Sequence, residues 1–273
     1  MDNKDELGQL PVCHASDIRL VRVKETLRNR DLNPTLFVID DEDNILQAAR
    51  AGVELLGVFI SSNAHPPAGF LDNPVLSGAD IACVAHTDVR DIFGSERLSR
   101  VFALARWHDR PQLTDILDRP GDIIVLDGVR LVGNIGAIIR NACAFRAAGV
   151  VVVDSGLSDL VDRRLIRASR GTVFSIPVVF AEPEEAVAQA RAKDIPLAVL
   201  DGGAEHAITE IGGLAPRVGL VLGSEKTGPS LIMHEAATSR YRIDISSAIE
   251  SLNVSVAAAI AMYERARSAL QRF

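Results

Sequence analysis

The second half of this chain alternates short, largely apolar runs with stretches of helical periodicity, and few folds accommodate that pattern. The runs occupy 123–126, 150–153, 173–179, 197–200, 218–222 and 241–245 and are rich in Val, Ile and Leu. Between them lie helical patterns from about 134 to 147, around 160–168 and at 183–192, and a long one, about 254–270, follows the last run. Strands that are apolar on both sides belong to parallel sheets, because helical crossovers cover both faces. The pattern therefore predicts an α/β fold with a mainly parallel sheet between helices.

The first half carries a shorter version of the same alternation. Ile18, Val21 and Leu27 among charged residues predict an amphipathic helix over 18–30, and apolar runs at 35–39, 55–61, 81–84 and 101–106 predict strands. Helices are expected at 45–51 and 89–93, stopped by Gly52 and Gly94. Residues 107–121, with Pro111 and Pro120 flanking a short amphipathic turn, mark the boundary, which places one unit at 1–110 and a second at 111–273.

Composition removes several classes. With 48% apolar residues over 273 positions the chain can bury a substantial core. Its apolar runs fall far short of the roughly 20 residues a membrane span needs, so no membrane association is expected. Asp2, Asp5 and Glu6 stand where a secretory signal would be basic and then apolar, which predicts a cytoplasmic protein. Three widely spaced cysteines and six histidines without paired spacing predict neither a disulfide framework nor a metal site. The net charge of −7 argues against a nucleic-acid partner unless basic residues cluster locally.

In open α/β sheets ligands bind beyond the carboxyl ends of the strands, and three segments there stand out. The first, GVRLVGNIGAIIR at 128–140, runs from a strand through a glycine-bearing loop into a helix, with Asn134 as an expected N-cap and Arg140 beyond it. Its G-x-x-G spacing lacks the G-x-G-x-x-G loop that lets a backbone approach a pyrophosphate, which sets aside a nicotinamide enzyme despite Asp154 after the next strand. The second, VLGSEKTGPS at 221–230, places Gly223, Glu225 and Gly228 in a turn after a strand, without the residue order of a phosphate-binding P-loop. The third, IDISSAIESLNVS at 243–255, brings Ser251 and Asn253 to a helix start, where ordinary capping accounts for either.

Together, NIGAIIR, LGSEKTGPS and ESLNVSVAAAI are similar in order and spacing to the three motifs of the TrmH branch of the SPOUT methyltransferases. Within that branch, VLDGVRLVGNIGAIIR and DRRLIRASRGTVFSIPVV resemble the thiostrepton and nosiheptide resistance methyltransferases. The resemblance spans nearly the whole chain and is less distinct over 1–110. It implies methyl transfer from S-adenosylmethionine to the ribose 2′-hydroxyl of an adenosine in 23S ribosomal RNA. It also implies a SPOUT domain with a deep trefoil knot, a homodimer whose sites draw on both chains, and a ribosomal-protein-like RNA-binding domain at the N-terminus. Related substrates, transfer RNA or another ribosomal site, fit the same motifs, and a noncatalytic RNA-binding protein would keep the fold.

Carried onto these positions, the resemblance assigns Arg140, Asn134, Glu225, Ser251 and Asn253 to catalysis, and Leu200, Gly223, Ser224, Glu225, Ile243, Ile245 and Leu252 to the cofactor. The family often names the arginine as base. A guanidinium stays protonated, so Arg140 is expected to stabilise a developing alkoxide. In-line displacement from a sulfonium needs no metal. Two departures from the family pattern occur: residues 243–247 read IDISS in place of I-P-M-x-G, and Lys226 and Pro229 interrupt the N-E-G-x-G-L-S form of the second motif. For RNA, Arg163, Arg164, Arg167 and Arg170 face a single acid, Asp162, and positions 163, 167 and 170 share one helical face suited to phosphates. Arg19, Arg22, Lys24, Arg28 and Arg30, with Glu25, form a second basic cluster within twelve residues.

Overall fold

The computed structural model describes residues 8–28 and 35–270, the side chains of 268–270 excepted. The chain divides into two compact units, Met1–Arg110 with Val161–Ser175 and Pro111–Leu160 with Ile176–Phe273.

The first unit holds β1 (Val12–Cys13), α1 (Ile18–Arg28), β2 (Leu36–Asp40), α2 (Glu42–Arg50), β3 (Glu54–Ser61), β4 (Ile81–Val84), α3 (His86–Phe93) and β5 (Val101–Arg106). Its five-stranded sheet has the order β1-β4-β3-β5-β2, with β5 antiparallel to both neighbours and the other pairs parallel. The face of α1 differs from the expected one. Leu20 and Val23 are buried, while Ile18 is 63% exposed, because 20, 23 and 27 form the stripe that meets the core.

In the second unit α4 (Leu113–Asp118) precedes β6 (Ile123–Asp127), α5 (Val132–Ala144) and β7 (Gly149–Val153). The chain then passes through α6 (Arg163–Ser169), which belongs to the first unit, and returns as β8 (Val178–Phe180). After it come α7 (Pro183–Ala192), β9 (Leu197–Leu200), β10 (His206–Ala207), β11 (Gly219–Gly223), α8 (Leu231–Ala236), β12 (Ser239–Arg242) and α9 (Val254–Leu270). All seven strands are parallel, in the order β10-β12-β9-β11-β6-β7-β8. The apolar runs make the buried centre: β6 and β7 have no exposed residue. From β6 the chain builds outward through β7 to β8, then crosses to β9 and later inserts β11 between β9 and β6. The order reverses at β6 and β11, the position where open sheets leave a crevice.

Residues 161–175, expected in the second unit, are spent on the first. Arg163 and Arg167 pair with the buried carboxylate of Asp40, Phe174 stacks on Phe37 with ring centroids 5.8 Å apart, and Trp107 meets Phe174 edge-on at 5.1 Å. Gly171 (φ 74°) turns the chain where a Cβ would stand 2.9 Å from Gln47 Cβ. This packing also shortens the strand expected over 173–179: Thr172–Phe174 is a 3-10 turn, and the strand is β8 alone. Among the described residues no helix is long and apolar enough to cross a membrane, and no group of three or more side chains could hold a metal ion.

Candidate active site

The carboxyl ends of β6 and β11 lie side by side, Gly223 opposite Asp127. Beyond β11 the chain folds back in a tight turn. Ser224 and Gly228 exchange backbone hydrogen bonds of 3.1 and 3.0 Å, and Ser224 Oγ accepts from Thr227 N at 3.1 Å. Gly223 is obligatory here, since a Cβ would fall 2.0 Å from the backbone nitrogen of Pro229. The returning strand is tied down where Ser230 N donates to the buried Asp127 at 2.5 Å.

The turn delivers Glu225 to Asn134. That residue is not the cap of α5: the helix starts at Val132, Leu131 occupies the cap position without a side-chain bond, and the side-chain amide of Asn134 is not spent on capping. Asn134 Nδ2 donates to Glu225 Oε1 at 2.6 Å, and Asn134 Oδ1 accepts from Asn253 Nδ2 at 3.1 Å. Asn253 caps α9, its Oδ1 accepting from Ser255 N at 2.9 Å and Ser255 Oγ at 2.6 Å. The polarity of this relay is set by its far end. A helix N-terminus offers only donors, so the Asn253 oxygen must face it; its NH₂ then points to the Asn134 oxygen, and the Asn134 NH₂ requires an acceptor, supplied by the Glu225 carboxylate. Capping and site-building are one arrangement.

Beside the relay lies a cavity of about 260 Å³. Leu200, Gly223, Ser224, Glu225, Ile243, Ile245, Ser251 and Leu252 line it, together with Leu222, Tyr241 and Val254. The expected strand 241–245 ends at Arg242, and beyond its end Ile243 and Ile245 line the cavity. Among the described residues three carboxylates line the space, those of Asp201, Glu225 and Glu250, and no Lys, Arg or His does. Apolar walls with acidic groups suit a flat heterocycle carrying positive charge and oppose a nucleoside phosphate. Sequence reasoning missed Asp127, Asp201, Glu250 and Ser255. Asp127 left a signal, a lone carboxylate ending a wholly apolar run.

Other expected residues lie elsewhere. Arg140 is exposed on α5, outside the cavity, and its side chain has no hydrogen bond or ion pair among the described residues. Six residues beyond Asn134, it is rotated by roughly 240° about the helix axis. The phosphate track on α6 is corrected: Arg163 and Arg167, 13% and 19% exposed, are turned onto Asp40. Arg164 is exposed but paired with Asp162 at 2.6 Å, and Arg170 is exposed in the left-handed residue that ends α6. Of the N-terminal cluster, Arg19 pairs with Asp17 and Asp80, and Lys24 with Asp91. Arg22 and Arg28 are exposed and form no ion pair within 4 Å among the described residues, although Arg28 lies close enough to Asp91 to help hold its carboxyl down, and Arg30 lies outside those residues.

Fold and site define a class, and comparison with known proteins names it: the chain belongs to the SpoU rRNA methylase family, whose model matches residues 122–263. The model for the N terminus of the thiostrepton-resistance methylases matches residues 9–119. The chain is 37% identical to the 23S rRNA (adenosine(1067)-2′-O)-methyltransferase of Streptomyces azureus over 93% of its own length and 94% of the relative's. It is 38% identical to the protein of the same name from Streptomyces laurentii, over 96% and 97%. Among solved structures, an RNA 2′-O ribose methyltransferase superposes with a TM-score of 0.75 at 28% identity, covering 96% of this chain and all of that one. The SpoU methyltransferase AviRb from Streptomyces viridochromogenes, in complex with AdoMet, shares the fold with a TM-score of 0.77 at 22% identity, over 93% and 100%.

Proposed function

We propose that this chain transfers a methyl group from S-adenosylmethionine to the ribose 2′-hydroxyl of an adenosine in 23S ribosomal RNA, a modification that weakens the binding of thiopeptide antibiotics. The observation that carries this reading is the cavity: apolar walls and three carboxylates without a basic side chain, directly beside the Glu225–Asn134–Asn253 relay. Near full-length similarity to the two Streptomyces enzymes supports the substrate.

The cofactor, when bound, supplies a methyl group on a sulfonium, open to in-line displacement. Leu200, Leu222, Ile243 and Leu252 would hold its purine between apolar walls, and Asp201, Glu225 and Glu250 would face its positive charge. Ser251 and the relay would position cofactor and substrate ribose through hydrogen bonds. Arg140 keeps its proton and stabilises the oxygen that develops negative charge.

A single chain does not bring Arg140 to the cavity. Our reading is a homodimer that pairs the exposed sides of α5 and α9, so that Arg140 approaches the site of a second copy. Val256 and Tyr263, seven residues apart on one side of α9, are 47% and 54% exposed, and Phe145 packs against Tyr263 at 6.5 Å. The insertion of β11 between β9 and β6 supports a deep trefoil knot formed by the C-terminal segment. The first unit serves RNA recognition through Arg22 and Arg28, supported by its match to the thiostrepton-resistance N terminus. The cytoplasm, where ribosomal RNA resides, is the site of action.

The test is transfer of labelled methyl from S-adenosylmethionine to a 23S ribosomal RNA fragment and to transfer RNA, with the modified nucleotide mapped. Label at an adenosine 2′-oxygen of the ribosomal fragment is expected. Label confined to transfer RNA, or cofactor binding without transfer to either, overturns the reading.

A further inference from the structure

The cavity and relay pose an electrostatic problem for an RNA substrate. Among the described residues three carboxylates line the space and no basic group does, yet a ribose is flanked on both sides by anionic phosphates. Cations close to the site would offset that repulsion, and two lie on the adjoining loops. The loops leaving β6 and β11 start from one rung of the sheet, Asp127 opposite Gly223, and each carries a cation three residues further on, Arg130 and Lys226. The loops touch, since a Cβ at Gly128 would stand 3.3 Å from Ser224 Cβ. The Asn134–Glu225 bond of 2.6 Å bridges the same two segments.

Lys226 is exposed, has no hydrogen bond or ion pair among the described residues, and follows Glu225 at a Cα separation of about 3.8 Å. The turn that presents it is fixed by the Ser224–Gly228 pair and the Ser224 hydroxyl. Arg130 pairs with Asp154 at 3.0 Å, both 68% exposed. An ion pair so open to water is weak enough for a phosphate to displace.

Resting on the RNA-methylation reading, we propose that Lys226 and Arg130 grip phosphodiester groups on the RNA strand that carries the target ribose. They position the substrate and take no part in methyl transfer. Lysine supplies a point charge; arginine can bind a phosphate through two parallel hydrogen bonds.

Steady-state methylation of a 23S ribosomal RNA fragment, measured across a series of salt concentrations, tests the grip in Lys226→Ala, Arg130→Ala and the double variant. Each single change is expected to raise KM for RNA about five- to tenfold and to lower the log–log salt slope by about one, with kcat at saturating RNA within about twofold of the parent. The affinity for S-adenosylmethionine alone, measured by calorimetry, is expected to stay unchanged, and Lys226→Arg to restore KM. Parent-like KM and salt slope in the double variant overturn the proposal while leaving the methylation reading intact, as does a loss confined to kcat. Failure of the parent chain to methylate any ribosomal RNA overturns both.

Discussion

Arg265 Nε and Nη2 donate to the two carboxylate oxygens of Asp122 at 2.8 and 2.7 Å, a fork that joins α9 to the start of β6. The remaining N–H groups donate to the carbonyls of Ile211, Ala215 and Pro216 at 3.0–3.2 Å, and Asp122 Oδ1 also accepts from Val218 N at 2.9 Å. One buried guanidinium, 6% exposed, thus satisfies backbone groups that would otherwise be orphaned. Arg265→Ala is expected to cost about 3–5 kcal/mol, because Asp122 loses its partner in a largely buried site. Arg265→Lys recovers only part, since an ammonium cannot reproduce the fork. Denaturant unfolding measures both; parent-like stability of Arg265→Ala refutes the staple.

Asp40 plays the corresponding part in the first unit. Only 2% exposed, it accepts from Arg163 Nε and Nη2 at 3.0 and 2.7 Å and from Arg167 Nη1 at 2.5 Å. Asp40→Ala removes the partner of Arg167 and leaves Arg163 only its contacts to Glu96 and the Arg97 carbonyl, at 3.4 and 3.1 Å, and should destabilise the protein by about 3 kcal/mol. Limited proteolysis is the sharper readout: cleavage within 161–175 should accelerate in the variant. An unchanged cleavage pattern means that aromatic packing at Phe174 alone secures the segment.

The parallel sheet was legible in the sequence because buried parallel strands carry an unbroken apolar signal, as 123–126 and 197–200 do. The cavity walls were legible only through the resemblance, since Leu200, Ile243 and Leu252 come from three separate loops and strand ends. The docking of α6 was not legible. Its four arginines look like a phosphate track in one dimension, and only the fold brings Asp40, more than 120 residues away, beneath two of them. Asn134 was misplaced by the general preference for Asn at helix caps: Leu131 takes the cap position, and the asparagine is kept for Glu225.

Cys13, buried in β1, has its thiol pushed up to about 11 by burial and by its hydrogen bond to the Asp17 carboxylate. It should therefore resist alkylation at pH 8 and react only when the protein unfolds. The linked stability runs in one direction: a thiol held protonated by the fold contributes nothing adverse below its unfolded value near 9, and stability falls as pH rises from there toward 11. Thiol counting at pH 8, with and without denaturant, checks the first claim. Cys13→Ser, which removes the thiol but keeps a hydrogen-bonding group, should flatten the loss of stability between pH 9 and 11.

The polarity of the relay gives the most discriminating variant in the site. Asn253→Asp preserves the cap of α9, because aspartate serves as well as asparagine there and its charge suits a helix N-terminus. It replaces the NH₂ facing Asn134 Oδ1 with an oxygen, setting two acceptors against each other. Turning the Asn134 amide over relieves that clash only by pointing its oxygen at Glu225 Oε1, so no arrangement satisfies all three residues. Thermal stability is expected to remain within about 1 kcal/mol of the parent, while kcat for RNA methylation falls on the order of 100-fold. Asn253→Ala differs in kind: it loses the cap, at about 1 kcal/mol, as well as the relay. If Asn253→Asp turns over at the parent rate, the amide orientation has no part in holding the ribose, and Glu225 must be positioned by its turn alone.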